Sequence, residues 1–147
     1  DETAAAILSL MENQKLVAEG AGAVPVAAAL FHKLPIEGKK VVCVISGGNI
    51  DVNILSRVIT RGLVMSGRKA NLTIALEDKP GQLQRVAEIV SRCGSNVVSV
   101  LHDGSDPNMP ISSCFLKLTL ETRDAVQIEQ IRAELTKEGF QLVSERV

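Results

Sequence analysis

Ser46, Gly47, Gly48 and Asn49 follow directly on the run Val41-Val42-Cys43-Val44-Ile45. A hydroxyl, two residues without side chains and an amide therefore stand where a segment built for a sheet gives out. Beyond the carboxyl end of a strand, backbone N–H groups and a helix N-terminus converge, which is where open α/β sheets hold the polar groups of a ligand. A Gly-Gly turn between strand and helix also serves simply to reverse the chain, and the residues alone leave both readings open. The other reactive side chains are Cys43, Cys93 and Cys114, with His32 and His102 as the imidazoles. The thiols lie far apart, each inside an apolar pattern, and no histidine is near one in sequence. They read as buried free thiols; no disulfide, no metal-ligand set and no Cys–His nucleophile is expected.

These residues need elements to hold them. Five consecutive apolar residues, mostly β-branched, predict a strand over Val41 to Ile45 buried on both faces. Upstream, Thr3 is expected to cap a first helix with Ile7, Leu8 and Met11 on its apolar face, and Asp1 and Glu2 near the positive end of its dipole. A second helix runs from about Val24 to Leu34, with Pro25 in its first turn and almost no polar side. A third begins after Asn49, carries Ile50, Ile54, Leu55 and Val58, and frays toward Gly62 or Gly67. A lone strand buried on both sides cannot satisfy its backbone. Its neighbours are expected from residues outside this chain or from a second copy, unless the segment is partly disordered.

The pattern changes character near Ser66-Gly67-Arg68-Lys69-Ala70-Asn71, which divides the chain into residues 1–66, a linker over 67–71 and a second domain over 72–147. That second part reads as strand (Leu72 to Glu77), helix opened by Pro80 with Leu83, Val86, Ala87, Val90 and Cys93 at helical spacing, and strand (Asn96 to Asp103). It continues through turn residues Gly104 to Asn108, a strand over Ile111 to Glu121, a helix from about Asp124 with Ala125, Ile128, Ile131 and Leu135, and a strand over Phe140 to Val143. The order βαββαβ is the split βαβ of ferredoxin-like sandwiches. One sheet face is covered by the two helices. The other, with Thr73, Ala75, Val97, Ser99 and Leu101, either awaits a partner or is solvated.

The chain has 147 residues, 46% hydrophobic and 22% charged, enough for one ordinary domain or two small ones. A formal net charge of −1 and three aromatics, all Phe, provide neither the basic footprint nor the stacking platform of a nucleic-acid binder. No apolar run approaches the roughly 20 residues that cross a bilayer, and acidic Asp1-Glu2 is unlike a signal peptide. Free thiols suit a reducing, cytoplasmic compartment. A first residue other than Met suggests a piece of a longer protein or a processed product.

The segment Leu76-Glu77-Asp78-Lys79-Pro80-Gly81-Gln82-Leu83, followed one helix later by Gly94-Ser95-Asn96-Val97, resembles the ACT domain, a small module that binds amino acids at subunit interfaces. The resemblance implies an effector site using Asp78, Gly81 and Asn96, which the fold is expected to bring to one end of the sheet, and a homo-oligomer formed through this half. Leu16-Val17-Ala18-Glu19-Gly20-Ala21-Gly22-Ala23, with the run into Ser46-Gly47-Gly48-Asn49 after Gly38-Lys39-Lys40, resembles the last part of the catalytic domain of threonine dehydratases, pyridoxal-phosphate enzymes of fold type II. An ACT domain after a short linker is a family arrangement too.

The resemblance implies a cofactor wall made by Ser46, Gly47 and Glu19. A hydroxyl can hydrogen-bond the ring nitrogen of pyridoxal phosphate but cannot keep it protonated as a carboxylate would. The weakened electron sink favours loss of a β-hydroxyl over transamination. Glu19 would border the ring, or else cap a helix. The family's cofactor-bearing lysine and phosphate-binding glycine loop match nothing in this chain. The chain is therefore expected to be inactive by itself and to complete, with the remainder of the catalytic domain, an enzyme converting threonine to 2-oxobutanoate and ammonia. Isoleucine or valine is the effector the resemblance suggests. The alternatives are a free-standing amino-acid-binding or dimerisation module, and the equivalent part of a serine dehydratase or racemase.

Overall fold

Alanines dominate the first helices and let their backbones approach closely. α1 (Glu2–Ser9) continues through a π-helical turn, Leu10–Gln14, and stops at Lys15, whose φ of 58° is left-handed. α2 (Gly20–Leu30) packs against α1 around Ala6, Ile7, Leu10, Ala18, Ala23 and Ala27. α3 (Val52–Met65) starts at Asp51, whose carboxylate accepts the N–H groups of Asn53 at 2.8 Å and Ile54 at 3.3 Å. Asp1, not Thr3, occupies the N-cap of α1. α2 begins four residues before the expected Val24, placing Pro25 inside the helix.

The computed structural model describes residues 1–106 and 109–143, and the chain divides into two compact units, Asp1–Gly62 and Leu63–Val147. Among the described residues of the first unit there is no strand. The buried strand expected over Val41 to Ile45 is not formed: Val42 is 88% and Val44 70% exposed, and only Ile45 of the run packs on the helical core. A strand needs a ladder partner for its N–H and C=O groups, and this unit offers none.

In the second unit β1 (Lys69–Glu77) begins earlier than the expected linker allowed, so Lys69 to Asn71 are strand. The turn before it is Ser66-Gly67-Arg68. Gly67 has φ +70°, and a Cβ there would lie 2.5 Å from the Ala125 nitrogen, so only glycine fits. α4 (Gln82–Arg92), β2 (Asn96–Asp103), β3 (Ser113–Glu121), α5 (Ala125–Lys137) and β4 (Gln141–Val143) follow. The antiparallel order β2-β3-β1-β4 is the ferredoxin-like sandwich read from the sequence. Leu72, Ile74, Leu116, Leu118 and Leu120 bury one face against Val86, Ile89 and Val90 of α4 and Ile131 and Leu135 of α5. Leu83 and Ala87, expected on that apolar stripe, are exposed. Between the helices, buried Gln127 donates from Nε2 to the Cys93 carbonyl at 2.7 Å and accepts the Arg123 N–H at 2.7 Å.

A bulge in β2 pairs Val97 with Leu120 but Ser99 with Thr119. One extra residue reverses the facing of everything before it, and Val97 packs into the core instead of the open face. That open face is also more polar than expected. Lys117 Nζ lies 3.0 Å from Asp103 Oδ2, and Thr119 Oγ1 donates to Asn71 Oδ1 at 3.1 Å. Cys93 and Cys114 are buried thiols, whereas Cys43 is only half-buried. Of the turn residues read after β2, Pro107 and Asn108 lie outside the described residues.

Candidate cofactor and effector sites

Glu19 has extended backbone (φ −74°, ψ 169°) at the N-cap of α2, and its N–H donates to the Gly47 carbonyl at 3.0 Å. The two segments meet backbone to backbone. A Cβ on Gly22 would come within 2.9 Å of the Gly47 oxygen, one on Gly48 within 2.8 Å of the Val17 oxygen, and one on Gly47 within 2.7 Å of Glu19 Oε1. Ile45 and Ile50 pack on the helical core and hold both ends of the turn. Ser46, Gly47 and Glu19 are thus gathered at one place. Ser46 is exposed, and among the described residues its hydroxyl makes no hydrogen bond. A free neutral hydroxyl beside side-chain-free backbone fits the ring nitrogen and flat ring of pyridoxal phosphate.

At the other unit, Asp78 follows β1 and its N–H donates to the Ser112 carbonyl at 2.8 Å. Gly81 takes φ +90° at the N-cap of α4, a conformation that costs glycine little. Around this corner lies a cavity of about 290 Å³ lined by Leu76, Asp78, Gly81, Gln82, Leu83 and His102 among others. Gln82 Oε1 is buried without a hydrogen-bond partner among the described residues, an acceptor available to a donor from a ligand. His102 Nε2 sits 3.4 Å from Asp78 Oδ1, both side chains being about half exposed. Cys114 lies beneath, and burial, then the Asp78 charge, push its thiol up from the ordinary value.

Asn96 is elsewhere. The register pairs Asp103, next to His102, with Phe115, and Asn96 with Glu121 at the far end of β3. Asn96 Nδ2 donates to Glu121 Oε2 at 3.1 Å. Asp78 and Asn96 therefore occupy opposite ends of the sheet, correcting the expectation that one chain brings them together. An antiparallel ladder puts the start of β2 against the end of β3, and hence far from the end of β1. His102 and Gln82 also line this corner, and neither was expected there from the sequence. The alternation of β2 and β3 held the signal for His102, since strand register rather than sequence distance decides which residues become neighbours.

No family model matches the chain. Over 142 residues, 97% of its length, the chain is 49% identical to an L-threonine ammonia-lyase of Thermotoga maritima, of which it covers 35%. It is 41% identical over 95% of its length to one from Geobacter sulfurreducens, again covering 35%. This chain is homologous to part of the L-threonine ammonia-lyases. It spans about a third of the length of these relatives. An L-threonine dehydratase of Halalkalibacterium halodurans matches over 78 residues, 53% of the chain, at 41% identity. Among solved structures, the ACT domain of a Chlorobium tepidum GTP pyrophosphokinase aligns with 51% of this chain and 96% of its own, with TM-score 0.40 and 15% identity.

Proposed function

We propose that this chain is the C-terminal portion of a pyridoxal-phosphate-dependent L-threonine ammonia-lyase, forming one wall of the cofactor site and the whole of an ACT-type effector module. The observation that carries the reading is the 49% identity to the Thermotoga enzyme over nearly the entire chain, reaching both the Glu19–Gly47 contact and the Asp78 corner. When bound, pyridoxal phosphate supplies the electron sink for removal of the threonine α-proton and loss of its β-hydroxyl. Ser46 would hold the ring nitrogen by a hydrogen bond and, being neutral, would not favour its protonation as a carboxylate does. Glu19 N–H and the packed glycines fix the Ser46 turn in position. The remaining two-thirds of the enzyme provides the cofactor-bearing lysine and the strands that pair with residues 41–45. The chain alone is inactive, and its free thiols suit the cytoplasm.

Two copies of the second unit complete the effector site. β2 is an edge of the sheet, and antiparallel pairing of two such edges would bring Asn96 of one copy to the His102 end of β2 in the other, the side on which His102 reaches Asp78. An amino acid held there alters catalysis through its unequal affinity for two arrangements of the copies.

In the full-length enzyme, Ser46→Ala should lower cofactor affinity or threonine turnover by about 1–3 kcal/mol, read by titration with pyridoxal phosphate and by 2-oxobutanoate release. Wild-type values for both would reduce Ser46 to a turn residue. Sedimentation of the full-length enzyme with isoleucine, valine and other amino acids checks the effector site. A ligand-induced shift lost in Asn96→Ala is expected, and an Asn96→Ala variant behaving as wild type would remove Asn96 from the site.

A further inference from the structure

We propose that Asp78, His102 and Cys114 form a binding site for a divalent cation of zinc type. Their donor atoms, a carboxylate oxygen, an imidazole nitrogen and a thiol sulfur, all lie within 4.8 Å of one another. They come from three adjacent strands. Cys114 pairs with Leu76 of β1, His102 with Leu116 of β3, and Asp78 directly follows β1. The contact between Asp78 Oδ1 and His102 Nε2, 3.4 Å, has the length of one edge of a tetrahedron around zinc, about 3.3–3.6 Å for ordinary Zn–N, Zn–O and Zn–S bonds. Closing the other two edges takes a side-chain adjustment of about an ångström on the same bond lengths.

The chemistry of the donors selects the ion. Cys and His exclude calcium and magnesium, which take oxygen ligands, and suit zinc, cobalt or nickel. Carboxylate and thiolate together supply two negative charges against the dication, the thiol proton leaving to solvent on binding. Asp78 and His102 are half exposed while Cys114 is fully buried beneath them. The ion would thus reach the sulfur from the side of the neighbouring cavity, with water in the fourth position. An ordinary Asp–His ion pair accounts for two of these groups and the alternation of β3 for the burial of the third; neither accounts for a thiol within 4.8 Å of both other donors. The proposal stands without the effector reading, because its test uses metal alone.

Cobalt(II) titrated into the reduced chain, with no amino acid present, should bind with 1:1 stoichiometry and give the strong visible bands of tetrahedral cobalt and a sulfur-to-cobalt charge-transfer band, both removed by zinc. Cys114→Ser should abolish the sulfur band, and Cys43→Ser and Cys93→Ser should leave it unchanged. His102→Ala, at a half-exposed position, should weaken binding at least ~10-fold, the lower bound seen when even an indirect support of a metal ligand is lost. Absence of the sulfur band, its survival in Cys114→Ser, or undiminished cobalt affinity in His102→Ala would each overturn the proposal. Should Cys114→Ser fail to fold by circular dichroism, the His102→Ala affinity decides alone.

Discussion

Gly22 and Gly20 sit two residues apart in α2 and differ in what surrounds them. A methyl group at Gly22 meets the Gly47 carbonyl, which belongs to backbone and cannot swing away, while one at Gly20 meets nothing within 4 Å. Gly22→Ala should therefore destabilise the first unit by about 1–3 kcal/mol through overpacking. Gly20→Ala should be neutral or stabilising by up to about 1 kcal/mol, since alanine restricts the unfolded chain. Thermal unfolding of the two variants makes the comparison, and equal effects would deny the backbone contact that sets the Ser46 turn. Asp103 carries a different residue-scale consequence. The Ser105 hydroxyl, then the Lys117 ammonium, then the Ser105 N–H hold its carboxyl down to about 2. A lowered folded value means these contacts stabilise the fold above the ordinary carboxylate range and lose that effect as pH falls through about 2. An NMR titration of the Asp103 carboxyl carbon should show this low midpoint, rising in both Ser105→Ala and Lys117→Met. An ordinary midpoint in the wild-type chain would mean the contacts do not persist in solution.

At the scale of elements, Gln127 ties the end of α4 to the start of α5. It satisfies the Cys93 carbonyl and the Arg123 N–H from a buried position, so Gln127→Leu leaves two backbone groups unpaired. A loss of about 1–3 kcal/mol for each is expected, measured by denaturant unfolding; a change within 0.5 kcal/mol, roughly the scatter of surface substitutions, would show that water replaces the amide. Gln127 also marks how far elements were legible. The strands and helices of the second unit followed from period 2 and period 3.6 because its sheet is half-buried and its helices one-sided. A polar residue on the buried stripe of α5 gives no such signal, and the bulge at Val98 cannot be seen in a run as uniformly apolar as Val97-Val98. The first unit was harder. Gly22 lowers the helix propensity of α2, yet close contact with Gly47 requires it there. The gathering of Glu19 with Ser46 and Gly47 was legible only through resemblance, and the separation of Asp78 from Asn96 only through ladder register.

For the whole molecule, two units with separate cores differ in completeness. The second closes a four-stranded sheet on two helices; the first leaves Val41 to Ile45 without a ladder partner. A short stretch of β-branched residues, uncharged and free of proline, with its N–H and C=O groups unclaimed, is the raw material of a cross-β spine. Val42 at 88% and Val44 at 70% exposure present it to any neighbouring chain. On the function proposed above, the whole enzyme would place these five residues in the middle of a sheet, and the chain by itself should seed fibrils. Incubated at high concentration, the chain should bind thioflavin T after a lag, and Val42→Lys with Val44→Lys should suppress the signal without lowering the stability of the second unit. Fibrils that grow equally fast from the doubly charged variant would place the spine in some other stretch.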